Sequence, residues 1–352
     1  RMCQHRVTLV GLGFTDLDTR VISPNRCSGC AACIVSCPHR GVLGYRAERP
    51  VLIGDCKFCE ICVKVCPRYD FDVGAVEERS FGRRRKADED FGVSRRIVVA
   101  RSASEDVLKN AQDGGVATAL LKKALEDGII DAALVSGFEA SDPWVPVPKV
   151  ASSPDDLMAC AGTRYSYSPN LLALPEALKK FKRIAVVGTP CTISGVRKMQ
   201  LLGLKLSKSI KLLLGLMCAE CFSFDCLMKD RMAENGIDLH SITKVKIKGR
   251  FLVELRDGTT RQIPLNDIRS CSRKSCAACD DFSSEYADIS LGGVGLSGST
   301  LVIARSSVGE GLLLDSLGLL EVEGTEVTRP SLELVSRLSR AKRTRAVRGL
   351  GC

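Results

Sequence analysis

Long hydrophobic runs are absent from this sequence of 352 residues. No apolar stretch approaches the ~20 residues that a membrane-spanning helix needs. The chain also does not begin with the basic segment followed by an apolar segment that is typical of a secretory signal. We therefore expect a cytoplasmic protein without direct membrane insertion, in which any peripheral membrane association runs through a partner complex.

Aromatic residues are scarce as well, at 5% of the chain. They leave few platforms on which the bases of a single-stranded nucleic acid could stack. Hydrophobic residues as a whole make up 45%, which can fill a sizeable core and argues against wholesale disorder. The composition therefore predicts a folded protein, long enough for two or three domains, that does not bind nucleic acid.

Cysteine, by contrast, is abundant, with 18 residues. Disulfide-rich scaffolds are usually short secreted chains, and their cysteines rarely fall in regular triplets. Two such triplets occur here, in "CSGCAACIVSCP" at 27–38 and "CKFCEICVKVCP" at 56–67. Metal ligation is therefore the favoured explanation of the cysteine content.

Both segments have the spacing Cys-x2-Cys-x2-Cys-x3-Cys-Pro of bacterial ferredoxins with two 4Fe–4S clusters, in which the fourth cysteine binds the other cluster. Zinc ribbons are the alternative, but zinc sites use pairs of cysteines and do not need the triplet or the trailing Cys-Pro. The first cluster is predicted on Cys27, Cys30, Cys33 and Cys66, and the second on Cys56, Cys59, Cys62 and Cys37.

The formal net charge is +10 when every thiol is counted as neutral. Each four-iron cluster on four thiolates carries roughly −2, so three clusters would leave an excess of about +4. The basic balance is then modest and gives no argument for nucleic-acid binding.

The chain divides into three predicted parts. Residues 1–78 form a double-cluster ferredoxin domain, and the charged segment 79–96 is expected to be an exposed linker. Residues 97–352 alternate strands and helices, which predicts an α/β domain with a mixed sheet, flanking helices and β-hairpins. The predicted elements are strands at 96–102, 129–137, 183–191 and 211–218, helices at 113–128 and 192–203, hairpins at 244–265, and a basic helix with a solvated face at 336–349.

Cysteines also occur in this second domain. Cys191 and Cys218 each end a predicted strand, so they should lie on one rim of the sheet, where α/β proteins bind ligands. The segment "SCSRKSCAACDDF" at 270–282 adds Cys276 and Cys279. These four thiolates predict a third cluster, although Cys191 and Cys218 could instead be buried as small apolar side chains.

A rival assignment uses the spacing of Cys271, Cys276 and Cys279, which is that of plant-type 2Fe–2S ferredoxins. It needs a fourth cysteine downstream, and only Cys352 is available. The cysteines left without a role are Cys3, Cys160, Cys221, Cys226 and Cys352.

The segment "GVGLSG" at 293–298 has the spacing of a dinucleotide fingerprint. A strand-like segment follows it, whereas a pyrophosphate site needs a helix N-terminus there. A nicotinamide site is therefore not expected, although the glycines would let the backbone approach another cofactor.

Several segments in the right order resemble the beta subunits of the coenzyme F420-reducing hydrogenases and dehydrogenases. They are "DGGVATALLKKALEDGIIDAALVSG", "GTRYSYSPNLLALPEAL", "IAVVGTPC", "GLMCAE" and "CAACDDFSSEYADISLGGVG", and the resemblance covers about residues 97–305. The resemblance implies an FAD-binding domain that exchanges a hydride with F420. It places the third cluster on Cys191, Cys218, Cys276 and Cys279, but the extra Cys221 leaves open whether Cys218 or Cys221 is the ligand.

The resemblance also implies sites for FAD and for F420. FAD contacts are implied at Gly114, Gly115, Thr118, Thr163, Arg164, Tyr165, Ser166, Gly188 and Thr189. A basic entrance for the acidic tail of F420 is implied at Arg164, Lys248 and Arg250. No catalytic acid or base is implied, since hydride transfer depends on alignment.

With a ferredoxin domain in front, the chain is most similar to the electron-input subunit of F420H2 dehydrogenase complexes. The resemblance implies an oxidoreductase that takes a hydride from reduced F420 onto FAD. Single electrons would then pass through three 4Fe–4S clusters to partner subunits, a membrane-bound complex or soluble ferredoxin. A flavin-free polyferredoxin and a flavin enzyme of the same fold with another donor remain the alternatives.

Overall fold

A computed structural model describes residues 12–139, 141 and 143–349. Cys3 and Cys352, the latter needed by the 2Fe–2S assignment, lie outside the described residues. The strands are β1 (Leu43–Arg46), β2 (Arg49–Leu52), β3 (Arg96–Ser102), β4 (Ala132–Phe138), β5 (Pro146–Ala151), β6 (Ile184–Gly188), β7 (Ile210–Leu216), β8 (Ile242–Ile247), β9 (Phe251–Leu255), β10 (Thr260–Ile263), β11 (Ile289–Gly292), β12 (Thr300–Ala304) and β13 (Leu320–Val322).

Helices flank these strands. The α-helices are α1 (Phe14–Leu17), α2 (Ala32–Ser36), α3 (Ile61–Lys64), α4 (Val73–Phe81), α5 (Glu105–Asn110), α6 (Val116–Glu126), α7 (Pro154–Ala159), α8 (Leu174–Lys180), α9 (Pro190–Leu201), α10 (Met232–Glu234), α11 (Leu265–Arg269), α12 (Ser307–Asp315) and α13 (Thr325–Gly349). Short 3₁₀ turns are Asn170–Ala173, Lys205–Ser209, Leu239–Ser241, Lys274–Ala278 and Leu317–Leu319, and π turns are Asp18–Ile22 and Asp225–Arg231.

The cysteine repeat folds as two matching halves joined by the antiparallel pair β1–β2. In each half, the residues on both sides of the second cysteine of the triplet have positive φ. These are Gly29 (73°) and Ala31 (65°) in one half, and Phe58 (50°) and Glu60 (64°) in the other. Left-handed backbone costs a non-glycine residue about 1 kcal/mol and is typical of loops that hold a ligand. The sequence repeat is therefore also a repeat of backbone conformation.

The N-terminal cysteine-rich region does not stand apart from the rest of the chain. Leu17 and Val63 belong to the same hydrophobic core as Ile193 and Leu213 of the α/β region. The boundaries 1–78 and 97–352 stay a prediction, but the two regions share apolar packing. Because burying an apolar side chain contributes about 1.5–3 kcal/mol, this shared core stabilises their association.

The α/β region is built on an eight-stranded sheet with the order β13-β3-β12-β11-β7-β6-β4-β5. Strands β11, β7, β6 and β4 pair in parallel, whereas β12, β13 and β5 pair with their neighbours antiparallel. The predicted mixed sheet is confirmed, with β3, β4, β6 and β7 at the predicted places. The parallel strands β6 and β7 are almost wholly buried, as expected for apolar strands covered on both faces.

Helix α6 begins later than the sequence predicted. Gly115 has a φ of 70° and lies just before the first helical residue, Val116, so Asp113 is not at the helix start. An L-residue is strained in this left-handed conformation, which glycine adopts freely. The predicted end is confirmed, because Gly128, with a φ of 65°, follows the helix.

The hairpins predicted at 244–265 are confirmed as a three-stranded antiparallel sheet, β10-β9-β8. The turn between β9 and β10 contains Gly258, whose φ is 82°. Asp257 stabilises this turn by accepting a hydrogen bond from the backbone N–H of Thr259 at 2.8 Å. This small sheet forms a core of its own with Phe222, Leu227 and Met228.

The segment 79–96 is not the exposed linker that its charges predicted. Val93 is buried, and Arg85 pairs with the buried carboxylates Glu77 and Glu285. The backbone carbonyl of Phe91 accepts a hydrogen bond from Arg305 at 2.8 Å. Mixed charges and glycines predict exposure only where the charges lack partners, and here the α/β region supplies them.

The basic helix at 336–349 is confirmed as the second half of α13, but one of its faces is not solvated. Val335, Ser339, Lys342 and Ala346 recur at helical spacing and are buried. Within the part of the chain that the structure describes, every helix is too short or too polar to span a bilayer.

Candidate functional site

The first thiol group consists of Cys27, Cys30, Cys33 and Cys66. These four side chains line one apolar cavity together with residues of α1 and the following turn. Burial raises the pKa of Cys33, and the neighbouring thiols Cys30 and Cys66 raise it further. The structure therefore places the last cysteine of the second repeat beside the first triplet, as the predicted exchange of ligands requires.

The second thiol group consists of Cys37, Cys56, Cys59 and Cys62. Burial raises the pKa of Cys62 to about 12, with Cys56, Cys59 and Cys37 adding to the shift. Cys59 is exposed, whereas Cys62 is buried. This group therefore reaches the protein surface, and its Cys62 lies near enough to Cys33 of the first group to raise the pKa of that thiol.

Among residues 12–139, 141 and 143–349, no three His, Cys, Asp or Glu side chains are placed to hold a single metal ion. The predicted clusters impose a different requirement, since the four thiolates of a 4Fe–4S cluster bind four different irons. The donor set fits such clusters in kind, and ligation by these cysteines stays a prediction.

The third thiol group lies at the rim of the sheet. Strands β6 and β7 are parallel, with Gly188 opposite Gly215. Cys191 lies in the first turn of α9, and Cys218 follows β7 by two residues. The prediction that these two cysteines share one rim is therefore confirmed, because both come from carboxyl ends of adjacent parallel strands.

The pair from the later segment joins them. Burial raises the pKa of Cys276 to about 12, and the thiols of Cys218, Cys191 and Cys279 add to this shift. Cys221 is a fifth member, since its backbone N–H donates to Cys276 Sγ at 3.4 Å. The structure thus brings together the four predicted ligands and one more thiol.

Cys218 and Cys221 differ in acidity. Their sulfurs lie 3.7 Å apart. The hydrogen bond between the two sulfurs lowers the pKa of Cys218, and Lys342 favours the same thiolate. The same hydrogen bond, together with burial, raises the pKa of Cys221. Because the thiolate is the metal ligand, the position of the Lys342 ammonium beside Cys218 favours Cys218 as the ligand.

The rival 2Fe–2S assignment is wrong, because Cys271 forms a disulfide with Cys226. The bridge closes a sequence separation of 45 residues beside the β8–β10 sheet. The spacing of Cys271 to Cys276 gave the same pattern as a plant-type ferredoxin, but spacing alone could not show that Cys226 takes up this sulfur.

The third thiol group lies against the first. Tyr167 lies between them. Its hydroxyl is 3.8 Å from Cys191 Sγ, and the thiols of Cys191 and Cys30 both raise its pKa. Arg273 stacks on the Tyr167 ring, 4.5 Å from its centroid. A Cβ on Gly195 of α9 would lie 3.3 Å from Cys30 Sγ, so glycine permits this close approach.

Two arginines join the regions that carry the groups. Arg273 donates to the backbone carbonyls of Ser28 at 2.6 Å and Glu48 at 3.0 Å. Arg68, which follows the second Cys-Pro, donates to Ala278 O at 2.7 Å. Burial alone would lower the pKa of Arg68, but the thiols of Cys279 and Cys191 raise it overall.

Lys342 contributes another cation. Its side chain is buried on α13, and its Nζ donates to the carbonyl oxygen of Cys218 at 2.5 Å. Sequence reasoning missed Tyr167, Arg68, Arg273 and Lys342. The available signals were weak: Tyr167 lies within a family segment, Arg68 follows Cys-Pro, and Lys342 is one of several cations in a basic helix.

Several predicted FAD contacts line the same rim. Gly188 ends β6, and Thr189 Oγ1 lies 3.2 Å from Cys191 Sγ. Gly115 precedes α6 and Thr118 is half-buried on it. Gly114 is used by the fold itself, since its N–H donates to Thr300 Oγ1 at 3.2 Å.

The segment from Thr163 to Ser166 also lies at the rim. The guanidinium of Arg164 stacks over Phe138, 3.9 Å from the ring centroid, and its Nη1 donates to the carbonyls of residues 160–162. Burial lowers the pKa of Arg164 to about 10. Arg164 Nε, Arg164 Nη2 and Ser166 Oγ are buried without a hydrogen-bond partner. Buried polar groups are normally paired, so these atoms fit a site completed by a bound polar group.

Tyr165 turns toward the small sheet. Its hydroxyl accepts a hydrogen bond from the backbone N–H of Ile247 at 2.9 Å. Its ring meets Phe251 edge-on, with centroids 6.0 Å apart. The segment 163–166 therefore links the β8–β10 sheet to the rim.

A lysine strip follows one face of β8. Lys244, Lys246 and Lys248 alternate along the strand and all lower the pKa of Asp113, although burial raises it overall. Lys248 also reaches Ser297 Oγ at 3.4 Å. Of the residues of the predicted basic entrance, Lys248 and Arg250 are exposed, whereas Arg164 donates to the backbone carbonyl of Cys160. Lys244 and Lys246 were missed, although the alternation in "KVKIK" signals them.

The "GVGLSG" segment at 293–298 leads into β12 and not into a helix, which confirms that no helix N-terminus follows it. Asp113 and Lys248 lie against this loop. The loop therefore belongs to the same rim as the predicted FAD contacts.

Comparison with known proteins gives one family, described as "Coenzyme F420 hydrogenase/dehydrogenase, beta subunit". Residues 97–175 match its N-terminal part and residues 181–326 match its C-terminal part. The beta subunit of the coenzyme F420 hydrogenase of Methanothermobacter thermautotrophicus is 35% identical, over 74% of this chain and 95% of that protein.

Two further relatives, which cover 92% and 75% of this chain, also come from enzymes whose names include F420. The F420H2 dehydrogenase of Methanosarcina mazei has a subunit that is 32% identical, over 92% of this chain and 91% of that protein. A chain of the F420-reducing NiFe hydrogenase complex from Methanosarcina barkeri, solved as a xenon derivative, superposes with a TM-score of 0.71 at 34% identity, over 75% of this chain and 94% of that one. The chain therefore belongs to an oxidoreductase family, the coenzyme F420 hydrogenase and dehydrogenase beta subunits.

Proposed function

We propose that this protein is an electron-input subunit that takes a hydride from reduced coenzyme F420 onto FAD. Single electrons leave through three 4Fe–4S clusters to a partner complex or a ferredoxin. The observation that carries the proposal is the succession of thiol groups from the sheet rim, past Tyr167, to the exposed Cys59. When bound, FAD supplies the conversion between two-electron and one-electron transfer.

The cysteines hold the clusters in this proposal. The third group, at the flavin end, uses Cys191, Cys218, Cys276 and Cys279, and the sulfur of Cys221 lies 3.7 Å from that of Cys218. The first and second groups use the exchanged ligand sets predicted from the sequence. Because cluster binding displaces protons from thiols whose pKa burial has raised, it should be accompanied by proton release.

The residues at the rim bind and orient FAD. Arg164 and Ser166 carry buried polar atoms without a partner, and they are the donors that a bound cofactor would satisfy. Phe138 places an aromatic ring against Arg164 and helps to exclude water, while Tyr165 anchors the segment to the β8–β10 sheet. Gly114, Gly115, Thr118, Thr163, Gly188 and Thr189 complete the proposed set.

Lys248 and Arg250 form the proposed entrance for the phosphate and glutamate tail of F420. Both are exposed, and Lys248 lies within 3.8 Å of Asp113 at the rim. Exposed cations of this kind attract an anionic ligand mainly by raising its encounter rate.

The test is an anaerobic reconstitution of the full chain, followed by measurement of flavin, iron and sulfide. We expect one FAD and about twelve irons per chain, as three four-iron clusters require. Reduced F420 should bleach the flavin and cluster absorbance, and NADH should not. Bleaching by NADH alone would exclude F420 as the donor, and iron without flavin would leave a polyferredoxin.

The first variant to test is Cys191→Ser. We expect this variant to keep FAD and its reduction by F420 while its iron content falls by about a third, because only one of three clusters loses a ligand. Cys160→Ser, at a thiol outside the three groups, should behave as the unchanged protein.

A further inference from the structure

Lys342 is a buried cation that forms no ion pair with a carboxylate among the residues that the structure describes. Its side chain is 5% exposed. The acceptor of its ammonium group is the neutral carbonyl oxygen of Cys218, and no ion pair of the described residues includes it. A buried charge without a counter-charge costs several kcal/mol. Such a residue indicates that a negative charge belongs close to it.

Arg68 repeats the pattern from another segment. Its guanidinium donates to the carbonyl oxygen of Ala278, which lies between Cys276 and Cys279. Among the residues that the structure describes, Arg68 likewise forms no ion pair with a carboxylate. Two cations from opposite ends of the sequence thus contact the backbone of the third thiol group.

Nearby carboxylates offset only part of this charge. The buried carboxyl of Asp281 also raises the pKa of Lys342. Its two oxygens, however, accept hydrogen bonds from the backbone N–H of Glu285 at 3.0 and 3.1 Å. Glu285 itself is paired with Arg85 and Arg343. The ammonium of Lys342 therefore remains directed to the thiol group.

We propose that Lys342 and Arg68 hold up the reduction potential of the cluster bound by Cys191, Cys218, Cys276 and Cys279. This inference rests on the proposed third cluster. Reduction adds one negative charge to a cluster that already carries about −2, and a cation in a low-dielectric site stabilises the added charge. The two residues do not carry electrons themselves; they affect electron transfer through the reduction potential of the cluster.

The test is an anaerobic redox titration of the reconstituted full chain, followed by electron paramagnetic resonance. The third cluster is identified as the signal that Cys191→Ser lacks. We expect Lys342→Met and Arg68→Met each to make this signal at least tenfold harder to reduce, which corresponds to a shift of about 59 mV to more negative potential for one electron. Lys342→Arg, which keeps the charge, should stay at the potential of the unchanged protein.

The controls remove the same charges elsewhere. The first control is Lys211→Met. Lys211 lies on β7 with its side chain exposed. It precedes Cys218 by seven residues, which is roughly 23 Å along an extended chain. Arg329→Met lies on α13, where its side chain is 85% exposed. Neither substitution should move the potential.

The outcomes separate the inference from the function on which it rests. Equal potentials in Lys342→Met, Arg68→Met and Lys211→Met would overturn the inference while leaving the third cluster in place. The absence of any signal that depends on Cys191 would overturn both. Should Lys342→Met lose iron, the potentials of Arg68→Met and Arg329→Met decide the question in the same way.

Discussion

At the scale of single residues, two neighbouring sulfurs compete for one role. Cys218 and Cys221 lie 3.7 Å apart, and the ammonium of Lys342, which contacts the carbonyl oxygen of Cys218, favours the thiolate of Cys218. We predict that Cys218→Ser loses about four of roughly twelve irons per chain, because one cluster loses a ligand. Cys221→Ala should keep them, and iron analysis of both variants after reconstitution checks this. Iron loss in Cys221→Ala alone would reverse the assignment.

A second residue-scale prediction concerns Arg164, whose Nε and Nη2 are buried without a partner. Arg164→Met should weaken FAD binding at least tenfold, since a hydrogen bond to a charged group contributes about 1.5–3 kcal/mol. Without flavin, the same variant should unfold close to the temperature of the unchanged protein, because removal of the two unpaired N–H groups offsets the loss of the hydrogen bonds from Nη1. Flavin titration and thermal unfolding provide the two measurements.

The control for this prediction is Arg250→Met, in an exposed turn between β8 and β9. It should leave FAD affinity unchanged while weakening F420 binding. If Arg164→Met retains full FAD affinity, the unpartnered atoms have some other explanation.

Residue spacing predicted the thiol groups because a cluster imposes fixed intervals on its ligands. It could not predict Lys342 or Arg68. A buried cation leaves no mark in a basic segment such as 336–349, where several arginines and lysines alternate with few apolar residues. The same limit applies to Cys271, whose disulfide partner is set by the tertiary fold and not by spacing.

At the scale of secondary structure, regular periodicity was a good guide and boundaries were not. The strands β6 and β7 are apolar and largely buried, and β3 has an apolar centre between two exposed arginines, so their positions follow from the pattern. The start of α6 depends on the left-handed conformation of Gly115, which the pattern does not reveal. The segment 79–96 was mistaken for an exposed linker because its ion-pair partner Glu285 is about 200 residues away.

The disulfide provides the prediction at this scale. Cys226→Ser combined with Cys271→Ser should lower the free energy of unfolding of the β8–β10 unit, by up to about 4 kcal/mol in the chain-entropy model for this loop length. Iron content should not change, because neither sulfur belongs to a thiol group. Thermal unfolding and iron analysis check both statements, with Cys160→Ser as control. Iron loss would restore Cys271 as a ligand.

At the scale of the whole molecule, the sequence predicted which regions are present but not how they pack against each other. The repeat and the α/β pattern predicted both kinds of region, since each has its own local signature. That the two share one hydrophobic core could not be predicted, because the apolar residues involved, such as Leu17 and Ile193, are unremarkable in sequence. This packing is what sets the third thiol group against the first.

The order of the thiol groups gives the last prediction. The third group lies at the rim, the first lies against it across Tyr167, and the second reaches the surface at Cys59. Cys59→Ser should therefore retain flavin reduction by F420 and lose electron transfer to a ferredoxin added as acceptor. Cys191→Ser should also block the acceptor, but at the flavin, so its first two clusters stay oxidised when F420 is added. Rapid-mixing spectroscopy of the two variants, with Cys160→Ser as control, distinguishes the steps; reduction of the acceptor by Cys59→Ser at the unchanged rate would show that electrons leave by another route.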